Sequence, residues 1–308
     1  MTRKLRSFSA VGASALFLAS AGISSAQDRR PRIEYTQRVD TAVTLDRQGT
    51  VNVSLFSGRV RVAGAGGSQV RVRGSVEPGG FELRTSPAGV RITVEPNARR
   101  SRGAGELELT VPFGTHVVLE THSASVAVAG VKGDVKAESL SGGISIADAA
   151  GKVIAESVSG GIEISRLTGD LRVESVSGRL ELSGISGDID AESVSGRITV
   201  VGAKSKSVRA ESVSGRVAYS SPLDPAGNYK FASHSGTLTL ALPSASGATV
   251  SLETFSGNVD SDFPVTLQSG TSGRHHDNKF EFRIGNGRAR VIAETFSGNI
   301  TIQRGLDR

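Results

Sequence analysis

The sequence predicts an all-β fold, a single parallel β-solenoid with coils of 18 residues. Three observations carry this expectation. A Glu-Ser-x-Ser-Gly motif recurs with its glycines at Gly142, Gly160, Gly178, Gly196 and Gly215, spaced 18, 18, 18 and 19 apart. A second glycine series, Gly133, Gly151, Gly169 and Gly187, falls midway, so the unit is nine residues in two alternating versions. Within each unit apolar and polar residues alternate, as in Leu180-Glu181-Leu182, which is the period-2 signal of a half-buried strand.

With glycine as position 1, positions 3, 5 and 8 are apolar almost throughout. Examples are Ile144, Ile146 and Ala149, then Val153, Ala155 and Val158, and later Ile189, Ala191 and Val194. Positions 3 and 5 should face a core, and position 8 should point inward again from a corner. Glycine at position 1 suits a tight bend or a left-handed backbone. Each unit is then one strand plus one corner, and two units close a coil. Stacked coils pair their strands at about 4.8 Å, and such a stack is stable only over several repeats. No 3-4-7 apolar spacing persists, which argues against helices. A β-sandwich would explain the alternation but not a glycine period held from 133 to 196.

Composition agrees with a thin core. Aromatics make up 5% of the 308 residues and Trp is absent, and a core of Ile, Val, Leu and Ala needs no aromatic volume. There is no Cys, so packing and backbone hydrogen bonds must hold the fold, and lipidation of an N-terminal Cys is excluded.

Along the chain, residues 1–26 read as a signal peptide. Arg3, Lys4 and Arg6 form its basic start, Val11 to Ile23 its apolar stretch, and Ser24-Ser25-Ala26 the small residues before cleavage. A retained anchor is the alternative, but the stretch is diluted by Ser and Gly and falls short of the ~20 residues a span needs. No transmembrane segment is expected once the signal is removed. The mature protein should be exported and periplasmic, cell-surface or secreted. Residues 27–308 read as one solenoid domain, with looser strands at both ends: irregular strands over 28–119, regular repeats over 120–220 and C-terminal coils over 221–308. Further motif copies end at Gly58, Gly236, Gly257 and Gly298, the last placed in a closing coil.

Charge is uneven. Residues 27–105 carry 14 Arg, no Lys and 7 acidic residues, with a cluster at Arg99, Arg100 and Arg102. In the repeats one outward face is charged and mixed, as in Asp170, Arg172 and Glu174. The other is smoother, as in Gly143, Ser145 and Ala147. On that smoother face Arg179, Arg197 and Arg216 share position 2 of successive coils and should align as a column.

Chemistry is sparse. Ser139, Ser157, Ser175, Ser193 and Ser212 at position 7, and Ser141, Ser159, Ser177, Ser195 and Ser214 at position 9, should form ladders that hydrogen-bond the corners. No His stands in register with them, so no catalytic residue is assigned. The column Glu138, Glu156, Glu174, Glu192 and Glu211 would space carboxylates about 4.8 Å apart. It lacks the Asp-rich nonapeptide of calcium-binding solenoids, and a solvated ladder offset by Lys and Arg is the simpler reading. His122 and His234 replace the apolar corner residue and read as corner packing. His275-His276-Asp277, adjacent in a loop, do not make a complete metal site. No cofactor and no metal is expected. Aromatics for base stacking are scarce in the Arg-rich stretch, which argues against nucleic acid.

The Ser-x-Ser-Gly-x-Ile copies, the strand Glu106-Leu-Glu-Leu-Thr-Val-Pro112 and the closing Glu294-Thr-Phe-Ser-Gly-Asn-Ile-Thr-Ile302 carry a resemblance. The chain resembles the bacterial β-strand-repeat family labelled "putative adhesin", a family of unknown function, over most of residues 50–302. The resemblance implies the fold and brings no catalytic residues. The expected function is therefore a non-enzymatic, adhesin-like envelope scaffold or surface-binding module, with an envelope glycan or surface protein as partner. The candidate ligand contacts are Arg179, Arg197, Arg216, Arg99, Arg100 and Arg102. Two alternatives are a carbohydrate-acting β-helix enzyme, which needs loops that build an acid-lined groove, and a polyanion-binding envelope sensor using the Arg-rich end.

Overall fold

A computed structural model describes residues 37–46, 48–97, 101–243, 247–264, 266–267 and 278–305. They belong to one compact unit, Tyr35–Arg308. The expected signal peptide, Arg99, Arg100 and the His275-His276-Asp277 loop lie outside the described residues.

The described residues contain no helix. They form two large, mostly parallel sheets of 13 and 14 strands, open rather than closed into barrels, and one two-stranded ribbon. In the regular block consecutive strands alternate between the sheets. Val135–Ser139, Val153–Ser157, Leu171–Ser175 and Ile189–Ser193 belong to the 14-stranded sheet, and Ile144–Ala147, Ile162–Ser165, Leu180–Ser183 and Ile198–Val201 to the other. Each strand pairs in parallel with the next one of its own sheet, in the register Val135↔Val153↔Leu171↔Ile189 and Ile144↔Ile162↔Leu180↔Ile198. These partners are 18 residues apart, so like sits on like.

Positions 3 and 5 are buried in both sheets and join one continuous core. Three of its aromatic members, Tyr219, Tyr229 and Phe231, pack together where the regular block ends. Burial there pushes the Tyr219 hydroxyl far up from its ordinary pKa.

The two corners of each coil differ, and here one expectation is corrected. After the 13-stranded sheet, position 8 is buried as expected, at Ala149, Leu167 and Ile185. After the 14-stranded sheet it is not: Leu140, Val158, Val176, Val194 and Val213 point to solvent, and Ser139, Ser157, Ser175, Ser193 and Ser212 at position 7 turn inward instead. The strand's alternation continues one step further than the apolar pattern implied. At Ser175, Ser193 and Ser212 the glycine three residues on supplies the buried hydroxyl with a partner, whereas the Ser139 and Ser157 hydroxyls are buried without one among the described residues. The Gly178, Gly196 and Gly215 N–H groups donate to Ser175, Ser193 and Ser212 Oγ at 2.8 Å. The position 9 serines bridge coils, for instance Ser159 Oγ donating to Leu140 O at 3.3 Å and Ser177 Oγ to Val158 O at 3.2 Å.

The glycines serve two purposes. Gly169 and Gly187 are left-handed, with φ of 144° and 151°. At Gly160 and Gly178 a Cβ would lie 2.0 Å from the carbonyl oxygen of the glycine one coil below, so close stacking rather than φ demands glycine. At position 7 of the corner after the 13-stranded sheet Asp148 and Arg166 are left-handed, both at φ 53°, and the Arg166 guanidinium grips Asp148 through bonds of 2.6 and 2.7 Å.

Both ends depart from sequence order. Thr50–Leu55 and Ser57–Ala65 stack in parallel on His116–Thr121 and Ser125–Ala129, and the chain between them makes an excursion that adds antiparallel strands at that end. Ala289–Thr295 and Ile300–Gly305 do not close the stack as the glycine series implied. They lie between Asn228–Ser233 with Leu238–Pro243 on one side and Ala248–Thr254 with Val259–Ser261 on the other. Glycine spacing records that a coil exists, not where in the stack it is inserted.

Candidate functional site: the exposed corner column

Because like stacks on like, the outward position 8 becomes a column. Backbone hydrogen bonds fix its order as Phe56, His122, Leu140, Val158, Val176, Val194, Val213, His234, Phe296, Phe255. Ten positions at about 4.8 Å span about 43 Å. The apolar members are 37–50% exposed, which is high for large hydrophobic side chains arranged contiguously. The ends are aromatic and stacked: Phe56 lies on His122 with ring centroids 4.5 Å apart, His234 on Phe296 at 5.0 Å and Phe255 on Phe296 at 4.9 Å. His122 and His234 are thus exposed members of the column rather than buried corner packing.

One flank of the column is acidic. Position 6 of the 14-stranded sheet aligns Glu120, Glu138, Glu156, Glu174, Glu192, Glu211, Ala232, Glu294 and Glu253. Between this row and the column runs a groove of about 1030 Å³ floored by the inward serines. Cations at position 4 balance part of the row. Lys136 meets Glu138 at 2.5 Å, Arg172 meets Glu174 at 2.7 Å, and Arg209 meets Glu211 at 2.8 Å. The hydrogen bond from Arg209 holds the Glu211 carboxyl below the ordinary carboxylate range, and the one that Lys136 donates to Glu138 raises the Lys136 ammonium above its ordinary value. Glu120, Glu156 and Glu253 have no such partner among the described residues.

The other flank carries the arginines read from the sequence. Ile162 N–H bonds to Arg179 O, Leu180 N–H to Arg197 O and Ile198 N–H to Arg216 O, so the three stand in one column as expected. Arg179 meets Glu181 at 3.3 Å. Arg197 and Arg216 have no acidic partner within ion-pair distance among the described residues. A shallow trough over Gly143 and Gly161 separates Arg179 from Arg59 and Arg61 on this face. Arg102 is exposed, and its backbone N–H donates to the buried carboxylate of Glu77. Among the described residues no group of three or more His, Cys, Asp or Glu is placed to hold a metal ion, and no helix is long and apolar enough to cross a membrane.

This arrangement repeats one set of side chains per coil, and it offers an apolar strip with acid on one side and base on the other. Both flanks are legible in the sequence as columns. The strip between them is not, because within one coil an exposed apolar corner residue looks like a buried one.

The family model Toastrack DUF4097 matches residues 51–303. The chain belongs to this family. The match takes in both sheets' regular blocks and the whole corner column. No curated protein matches. Three solved structures are similar at 10% identity. A "putative cell adhesion protein" from Clostridium sporogenes covers 87% of this chain and 100% of its own, with a TM-score of 0.22. A "putative adhesin" from Bacteroides fragilis covers 86% and 97%, with a TM-score of 0.34. A "putative lipid binding protein" from Parabacteroides distasonis covers 86% and 96%, with a TM-score of 0.35.

Proposed function

We propose that this family member is a non-enzymatic, exported surface-binding module, a β-solenoid with coils of 18 residues that engages its partner along the corner column. The observation that carries the reading is the ten-position strip of exposed apolar and aromatic side chains, held rigid by the stack beneath it. A strip of weak, identical contacts acts in parallel and gains strength through length. Catalysis needs one locally distinct acid pair, whereas the glutamates here repeat coil after coil, which supports binding over the enzyme alternative. The polyanion-sensor reading draws on Arg99 and Arg100, which lie outside the described residues, and on the exposed Arg102. The column's Arg179, Arg197 and Arg216 form one edge of the proposed surface rather than a separate glycan site.

The export part of the reading predicts a mature N-terminus at Gln27 by mass spectrometry of the native protein. The binding part is tested by co-sedimentation with isolated envelopes. The combined Val176→Ser, Val194→Ser and Val213→Ser variant should lose association while melting like the parent, because these side chains touch solvent rather than core. Unchanged sedimentation would overturn the reading.

A further inference from the structure

The strip is self-complementary, and we propose that its partner is a second copy of this chain, paired in parallel about a two-fold axis running along the column. The inference rests on the corner column being the binding surface and adds the identity of what lies on it.

In three successive coils the exposed valine is preceded by a glutamate on one sheet's outer face and followed by an arginine on the other's: Glu174 and Arg179 around Val176, Glu192 and Arg197 around Val194, Glu211 and Arg216 around Val213. A two-fold axis parallel to the column exchanges the two flanks of the facing copy. Each glutamate row then meets the partner's arginine row at the same height, and each valine meets the same valine. An axis perpendicular to the column would instead set acid against acid and base against base. Only the parallel pairing satisfies both flanks, and a closed isologous dimer follows. Among the described residues Arg197 and Arg216 have no acidic partner within ion-pair distance, and the contact Glu192 makes with a cation is that with Arg209 at 3.8 Å, so groups on both flanks are available. Like-charge juxtaposition in the wrong orientation provides specificity.

The size is adequate. A strip about 43 Å long needs a contact width of under about 20 Å to reach the ~800 Å² per partner of an ordinary stable interface. Its centre is apolar and its edges are charged, which is the usual layout of such interfaces.

The chain contains no cysteine, so single cysteines report the geometry directly. In the mature full-length protein Val158→Cys, Val176→Cys, Val194→Cys and Val213→Cys, each made separately, should all crosslink the dimer with a short bis-maleimide to a similar extent. An antiparallel pairing would crosslink strongly at one central position only, and that result would overturn the proposal. Sedimentation equilibrium supplies the second arm. An all-acid variant (Arg179→Glu, Arg197→Glu, Arg216→Glu) and an all-base variant (Glu174→Arg, Glu192→Arg, Glu211→Arg) should each be mainly monomeric, and their mixture should form a heterodimer. Circular dichroism melts establish that each variant folds, and the cysteine variants, which leave the charges intact, test the pairing if one does not. A parent protein that stays monomeric up to high micromolar concentration rejects the second copy as partner. If the valine-to-serine variant nevertheless loses envelope association, the binding surface stands and its partner is another molecule, such as a glycan.

Discussion

Two adjacent glycines should respond to the same substitution in opposite ways. A Cβ at Gly160 would sit 2.0 Å from the Gly142 carbonyl oxygen, and one at Gly161 would meet nothing nearer than the Arg179 oxygen at 3.6 Å. Ordinary contact begins near 3.4 Å, so Gly160→Ala must push two coils apart by more than 1 Å. The bonds that join those coils beside it, Val158 N to Ser139 O at 3.2 Å and Ser159 N to Leu140 O at 3.1 Å, already sit near the upper limit. Losing both, and leaving buried backbone groups unpaired, costs about 3–5 kcal/mol. Gly161 has no left-handed φ to protect, so Gly161→Ala restricts only the unfolded chain and should be neutral or stabilising by up to about 1 kcal/mol. Urea denaturation followed by circular dichroism measures both. Equal effects at the two positions would refute the account of why the motif glycine is required.

Leu182→Asp should cost about 3–5 kcal/mol, since it buries an unpaired charge. Its outward neighbour tolerates Glu181→Lys at under about 1 kcal/mol, and similar losses in denaturant melts would contradict the assigned register. Arg166→Gly should melt higher than Arg166→Ala by about 2–4 °C, because both lose the ion pair with Asp148 but only glycine relieves the left-handed backbone; differential scanning calorimetry decides. The depressed Glu211 carboxyl contributes stability that is complete above its unfolded value of 4.5 and is lost as pH falls through its lower folded value. A Glu211→Gln variant should therefore show a shallower loss of melting temperature below pH 4.5 than the parent.

The repeat block was legible because each coil answers the same steric problem with the same residues. Ile144, Ile162, Leu180 and Ile198 occupy one core position, and the spacing of Gly160 and Gly178 equals the offset of 18 between paired strands. Position 8 after the 14-stranded sheet departs from its expectation because apolar character does not by itself mean burial. In this corner the hydrogen bond from the Gly178 N–H lets Ser175 go inside, and chain geometry then forces Val176 out. No local pattern distinguishes that valine from buried Leu167. The flanking Glu and Arg rows were readable as columns, but their meaning depends on the strip between them. The insertion of Ala289–Thr295 between two earlier coils was not readable at all, since pairing of distant strands leaves no trace in local periodicity.

That insertion sets an order on assembly. The coils between 135 and 220 can form in chain order as the chain emerges, every one templated by its predecessor. The strands at 248–261 cannot follow suit, because the surface they rest on is made by residues 289–305, which are synthesised later. Until those arrive, the edge of Asn228–Ser233 and Leu238–Pro243 stands open, with unpaired backbone groups that invite another chain. Closure of this end is one non-local step, slow relative to the zipping of the coils. Proteins shortened near residue 290 should therefore lose a middle layer of the stack rather than its last one, and expose a growing edge.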